Sequence, residues 1–215
     1  MNYQSTTNES QFQGLMINNG RQEQFFCYDI ILQKIHERIQ LMTERYSRVM
    51  FVRLDIRFPR GYQPQGGNEE VSHLFKMMKE NARARKITFH FVWVREQGGS
   101  DNPHYHAIVL LDASRASNYI EFLTEVTRVW GHVLGCHAVG LIDRCDVDSF
   151  GNYTGNGVIL QRPVRRAVGE ERSTQEQEFW VRLNWCYEWA SYLAKVNQKE
   201  DTPYRVRRFG ASKIG

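Results

Sequence analysis

No apolar run in the chain approaches the ~20 residues needed to span a bilayer, and the first residues, MNYQSTTNESQFQGLM, lack a basic stretch followed by an apolar one. These absences argue against a membrane-spanning helix and an export signal in this stretch, so a soluble, cytoplasmic protein without a membrane partner is expected. Cysteine is sparse: Cys27, Cys136, Cys145 and Cys186 lie far apart and form no Cys-x-x-Cys pair. That spacing excludes a zinc ribbon or a dense disulfide framework and suits reduced thiols. Internal repeats and low-complexity tracts are absent, which argues against a solenoid or an array. Charge of one sign is only weakly in excess, at +4 with a pI near 8.9. Such a balance is compatible with nucleic acid without requiring it.

What is present is enough for one domain with appendages, because 215 residues with 41% hydrophobic and 13% aromatic content can bury a sizeable core. Residues 1–20 are rich in Asn, Gln, Ser and Thr and read as a flexible arm. Residues 21–46 show helical spacing at Phe26, Ile30, Ile31, Ile35 and Ile39, which predicts an amphipathic helix ahead of the core. The period then changes to two: in VMFVRLDIRF (49–58), Val52, Leu54, Ile56 and Phe58 alternate with Arg53, Asp55 and Arg57. A helix over 69–85, strands over 86–96 and 104–112 joined by a Gly/Asn/Pro turn, a helix over 117–134 and strands near 138–145 and 156–163 follow. The strand, helix, strand, strand, helix, strand order predicts an α+β fold, a ferredoxin/RRM-like antiparallel sheet with helices on one face and the other face free for a site. A last helix from Ser173 or Thr174 to about Gln198, with Glu176 and Gln177 placed for a capping box, closes a core domain of residues 47–199. Residues 200–215 are a basic tail.

Three elements carry chemistry. In NPHYHAIVLLD, His104 and His106 share a strand face and lie about 7 Å apart at their backbones, close enough to converge on one divalent ion. Glu96 ends the preceding strand, and antiparallel pairing across the loop would bring its carboxylate beside them. This donor set suits Mg²⁺ or Mn²⁺ with positions open for water and substrate oxygens, although it would also hold zinc. Two histidines on a solvated strand end remain the plain alternative. In the final helix, Asn184, Glu188, Tyr192, Lys195 and Lys199 fall in one polar stripe about 80° wide, while Tyr187 turns toward the core. Tyr192 is either an ordinary surface residue or a phenolic nucleophile, with Lys195 placed to stabilise phenolate or phosphate charge.

Joined together, these parts specify a reaction. Tyr192 would attack a scissile phosphate polarised by an ion on Glu96, His104 and His106, forming a phosphotyrosine link that a later hydroxyl can reverse without ATP. No Walker-type phosphate loop occurs, so strand unwinding would need a separate helicase.

VRLDIRFP, VWVREQGGSDNPHYH and SYLAK, in that order over about residues 48–197, resemble the His-hydrophobic-His endonucleases, and more narrowly the inovirus-type, filamentous-phage gene II-like replication initiation proteins. The resemblance implies a rolling-circle initiator in a bacterial host cell, acting on single-stranded or supercoiled origin DNA with Mg²⁺ or Mn²⁺ and with host helicase and polymerase as partners. By position, Glu96, His104 and His106 match the metal ligands, Tyr192 the nucleophile that takes the 5′ phosphate and Lys195 its motif partner. Some phage initiators alternate two tyrosines one helical turn apart. Here the position four before Tyr192 is Glu188, which points to a single-tyrosine mechanism. Arg53, Asp55 and Arg57 share one strand face, so an arginine on phosphate and Asp55 behind a histidine are expected, with a paired charge row as the alternative. Arg205, Arg207 and Arg208 are further candidates for DNA contact, and Tyr62, Phe91 and Trp93 for base stacking or the core. A related transposase or relaxase, a non-catalytic module for single-stranded nucleic acid and a metal phosphoesterase using water are the rival readings.

Overall fold

The computed structural model describes residues 5–20, 24–147, 153, 155–197, 199 and 202–214. Short strands β1 (Thr6–Thr7), β2 (Gln11–Phe12), β3 (Leu15–Met16) and β4 (Cys27–Tyr28) form two antiparallel pairs, β1 with β4 and β2 with β3. The main body then runs α1 (Asp29–Arg45), β5 (Arg48–Ile56), α2 (Glu69–Ala84), β6 (Phe89–Glu96), β7 (His104–Asp112), α3 (Tyr119–Leu134), β8 (Ile142–Asp143), β9 (Val158–Gln161), α4 (Gly169–Ser191), a 3₁₀ turn over Tyr192–Ala194, and β10 (Phe209–Ala211). Among the described residues, no helix is long and apolar enough to cross a membrane.

The six-stranded antiparallel sheet has the order β10-β6-β7-β5, with β8 and β9 both on the outer edge of β5. This is the α+β, split βαβ arrangement that the alternation of elements predicts. The fourth strand position is divided: β8 pairs with Asp55 and Ile56, and β9 with Arg48 to Phe51. Between them the Asn156 side chain accepts from the Arg53 backbone N–H at 3.1 Å and donates to its carbonyl at 2.6 Å. One amide thus satisfies the two groups of Arg53 that a continuous strand would have paired.

Side-chain parity explains the two cores. Met50, Val52, Leu54 and Ile56 of β5 join Tyr105, Ala107 and Val109 of β7 under α2 and α3, where Leu74, Phe75, Val126 and Trp130 complete the layer. Asn118 caps α3 by accepting from the Ile120 and Glu121 N–H groups, and Gly135 ends it at φ 68°. The connecting helices therefore lie on one face, as expected. The opposite face is not free, however. Ile31, Leu32, Ile35, Ile39 and Met42 of α1 cover Val49, Phe51, Val92, Val94, Ile108 and Leu110 there, and Leu183, Cys186, Tyr187 and Ala190 of α4 pack beside them. Burying each large aliphatic side chain contributes about 1.5–3 kcal/mol, so α1 is part of the core rather than an appendage.

Other boundaries shift for similar reasons. The predicted N-terminal helix begins at Asp29 instead of near Gln22, because Cys27 and Tyr28 are taken up by β4; residues 21–23 lie outside the described residues. Of the predicted flexible arm, residues 5–20 are folded onto the protein, anchored by Leu15 and Ile17 at 6% and 3% exposure, while residues 1–4 lie outside the description. The predicted basic tail supplies β10, where Phe209 pairs with Val94, Gly210 with Trp93 and Ala211 with Val92. A Cβ at position 210 would come within 2.4 Å of the Trp93 indole, so glycine permits this strand to close on the sheet. The final helix starts at Gly169, with Glu170 and Glu171 in its first turn favoured by the helix dipole, and the expected capping box does not form. Ser173 instead donates to the Gly169 carbonyl within the helix.

Candidate metal and nucleophile site

The sheet face covered by α1 changes character along its strands. On β5, Val49 and Phe51 give way to Arg53 and Asp55; on β6, Val92 and Val94 give way to Glu96; on β7, Leu110 and Ile108 give way to His106 and His104. In register, Asp55 faces His106 and Glu96 faces His104. The three transitions fall at one end of the sheet, where the apolar cover stops and a polar group begins. Glycines 98 and 99, both at positive φ, lie in the loop that joins Glu96 to His104.

Glu96, His104 and His106 each offer a ligand atom, and these atoms lie within 4.8 Å of one another. Glu96 Oε2 is 3.5 Å from His104 Nε2 and 3.1 Å from His106 Nε2. On its other side, His106 Nδ1 lies 2.6 Å from Asp55 Oδ1, so Nδ1–H donates to the carboxylate and Nε2 is left free for an ion. The remaining Glu96 oxygen, Oε1, accepts from the ammonium of Lys199. Glu96 is 3% exposed and Lys199 is fully buried. The group can hold a divalent ion: two imidazole nitrogens and one carboxylate oxygen converge, and each buried ligand has its second polar atom satisfied.

Electrostatics follow from these contacts. Burial alone would raise the Glu96 carboxyl, but hydrogen bonds from His104 and His106 and the Lys199 charge outweigh it and hold the group well below the usual carboxylate range. Burial opposes the charged form of His106, yet hydrogen bonds to Asp55 and Glu96 outweigh this and push its pKa up. Asp55 is likewise held down by His106 against the effect of its own burial.

Tyr192 stands beside this group. Helix α4 ends at Ser191, and the tighter turn over Tyr192–Ala194 carries the tyrosine ring to 5.4 Å from His106, edge to face at 85°. The Arg53 guanidinium lies 4.6 Å from the Tyr192 ring centre and the Lys195 ammonium 4.7 Å, so two cations flank the phenol. Burial raises the Tyr192 pKa, and the Glu96 charge adds to it, while Arg53 opposes them. Lys195 is no longer on the same helix face, because the chain leaves the helix and residue 195 bridges to Cys27, but its ammonium still reaches the ring and also lies 4.5 Å from that of Phe25. Tyr187 is fully buried and donates to the Leu32 carbonyl at 3.3 Å, as its position on the helix implies.

The structure therefore brings together Glu96, His104, His106, Tyr192, Lys195, Arg53 and Asp55. It does not bring in the other candidates. Arg57 is exposed and pairs with Asp143 at 3.5 Å. Arg205 stacks on Tyr204, Arg207 lies over Trp93, and Arg208 donates to the Tyr28 hydroxyl at 2.9 Å. Trp93 is a core residue, and Tyr62 and Phe91 pack at the edge of the same core. His90 sits apart, bonded to Ser212 through Nδ1, and burial pushes its pKa down to about 4. Sequence reasoning did not single out Lys199, Trp185 or Trp189; the only signal for the lysine was its place in the polar stripe with Tyr192.

The family of the YagK/YfjJ C-terminal domain matches residues 7–141. The chain belongs to this family. The YagK/YfjJ match takes in Arg53, Asp55, Glu96, His104 and His106, and ends before Tyr192, Lys195 and Lys199. No curated protein and no solved structure matches the chain.

Proposed function

We propose that this YagK/YfjJ domain nicks and rejoins single-stranded DNA through a 5′-phosphotyrosine at Tyr192, as an inovirus-type rolling-circle initiator of the His-hydrophobic-His class. The observation that carries the reading is the position of the Tyr192 ring, 5.4 Å from His106, beside a three-ligand group able to hold a metal. Glu96, His104 and His106 would hold Mg²⁺ or Mn²⁺. The ion would supply Lewis-acid polarisation of the scissile phosphate.

The chain's own residues do the rest. Asp55 fixes the tautomer and orientation of His106, and Lys199 holds Glu96 so that Oε2 faces the histidines. The phenol oxygen of Tyr192 attacks phosphorus, a P–O bond to the tyrosine forms, and the bond to the 3′ oxygen breaks. The phenol gives up one proton and the departing 3′ oxygen takes one up, so the exchange is proton-neutral and reversible. Arg53 and Lys195 offset negative charge on the phenol oxygen and on the phosphate.

Nicking of single-stranded or supercoiled DNA from the protein's own replicon should vanish in EDTA and return with Mn²⁺ or Mg²⁺. Because a proton on His106 Nε2 competes with the ion for the same lone pair, the Mn²⁺ concentration needed for half-maximal nicking should rise as pH falls. Activity assayed across pH and Mn²⁺ concentration, with and without chelator, checks both. Undiminished nicking in EDTA would remove the metal from the reaction.

A further inference from the structure

An open cleft of about 920 Å³ lies beside Tyr192, lined by Trp185, Trp189, Arg53 and Asp55 among others, a volume in the range that takes drug-sized ligands. Trp185 and Trp189 are one helical turn apart on α4 and lead along it toward Tyr192. Their rings lie 4.9 Å apart at 42°, and Trp185 is 39% exposed. Arg53 extends over this row, 5.6 Å from the Trp189 ring and 4.6 Å from that of Tyr192. Its guanidinium makes no ion pair among the described residues, and its Nε has no hydrogen-bond partner. A cation held by aromatic faces instead of by a carboxylate keeps its charge available to a ligand.

We infer that this cleft is a subsite for unpaired nucleobases next to the scissile phosphate, with Trp185 as the stacking platform and Arg53 as the phosphate contact. The inference rests on the proposed nicking reaction and names how its substrate is held. The cleft's other charges favour bases over a phosphate-filled groove. Asp55 is occupied by His106, Asp143 pairs with Arg57, and Glu188 stands exposed at the rim, so Arg53 is the place where a phosphate is welcome and aromatic surface fills the remainder. A duplex keeps its base faces stacked inside, whereas an unpaired strand offers them, so this platform selects single-stranded DNA.

The test uses the full chain with Mn²⁺ and a labelled single-stranded oligonucleotide from its own replicon. Trp185→Ala should raise Kd and KM about tenfold or more, with kcat at saturating substrate within a few-fold of wild type. Trp185→Phe, which keeps a ring, should recover most of the affinity. Removing the bases flanking the scissile phosphate, as abasic sites, should erase the difference between wild type and Trp185→Ala, a readout that a merely structural tryptophan would not move. Wild-type affinity for Trp185→Ala, or an equal loss on intact and abasic strands, overturns the subsite, even where Tyr192-dependent nicking persists. If no form of the protein nicks yet the Trp185 effect vanishes on abasic strands, the subsite holds and the nicking reading fails.

Discussion

Tyr192→Phe is expected to lower nicking by on the order of 10⁴-fold or more, the scale seen when a covalent nucleophile is removed. Binding of Mn²⁺ and of single-stranded DNA should stay within about twofold. The substitution removes one oxygen and leaves the ring against His106, Arg53 and Lys195. The Tyr192 hydroxyl makes no hydrogen bond among the described residues, so its loss strands no buried partner and folding should be unaffected. The comparison that checks this is nicking rate against affinity for the same oligonucleotide in both proteins. A phenylalanine variant that still nicks at the wild-type rate would make water the nucleophile and turn the site into a metal phosphoesterase.

The second large effect concerns Lys199, the fully buried ammonium on Glu96. Breaking a buried ion pair by removing one partner costs roughly 3–5 kcal/mol where the other charge is left without compensation, and the hydrogen bonds that Glu96 keeps from His104 and His106 put the loss at the lower end of that range. Lys199→Met should therefore lower unfolding free energy by about that amount in EDTA, measured by urea titration. Saturating Mn²⁺ should recover part of the loss, since an ion that binds only the folded state adds stability and supplies positive charge beside Glu96. The pH sense is set by the depressed Glu96 pKa: its stabilising contribution is complete above the ordinary value of about 4.3 and is lost as pH falls through the lower, folded value. A variant with wild-type stability in EDTA would mean that the pair contributes nothing to holding Glu96 in place.

Much of this arrangement is legible in local pattern. The alternation in β5 and β7 fixes which side chains share a face, so the pairing of His104 and His106 and the approach of Asp55 to His106 follow from parity and register alone. Glu96 follows from the short loop that makes β6 and β7 antiparallel neighbours. What pattern does not carry is long-range packing. That α1 closes the second sheet face depends on its docking against β6 and β7, and that residues 209–211 extend the sheet depends on glycine at 210 meeting Trp93. The end of α4 is the clearest case. Continued helical spacing puts Tyr192, Lys195 and Lys199 on one solvent-facing stripe, but the chain leaves the helix at Ser191, so Lys199 turns inward to Glu96 while Lys195 bridges to Cys27. A buried lysine of this kind has no periodic signature. Trp185 and Trp189 were equally hidden, because aromatics on a helix read first as core.

The most direct measurement is the location of a covalent adduct. The protein is incubated with Mn²⁺ and single-stranded DNA from its own replicon, digested with trypsin, and the peptide LNWCYEWASYLAK, residues 183–195, is fragmented in the mass spectrometer. A nucleotide bonded to Tyr192 is the expected result. An adduct on the buried Tyr187, or cleavage of the DNA with no adduct on either tyrosine, would contradict a phosphotyrosine mechanism at Tyr192.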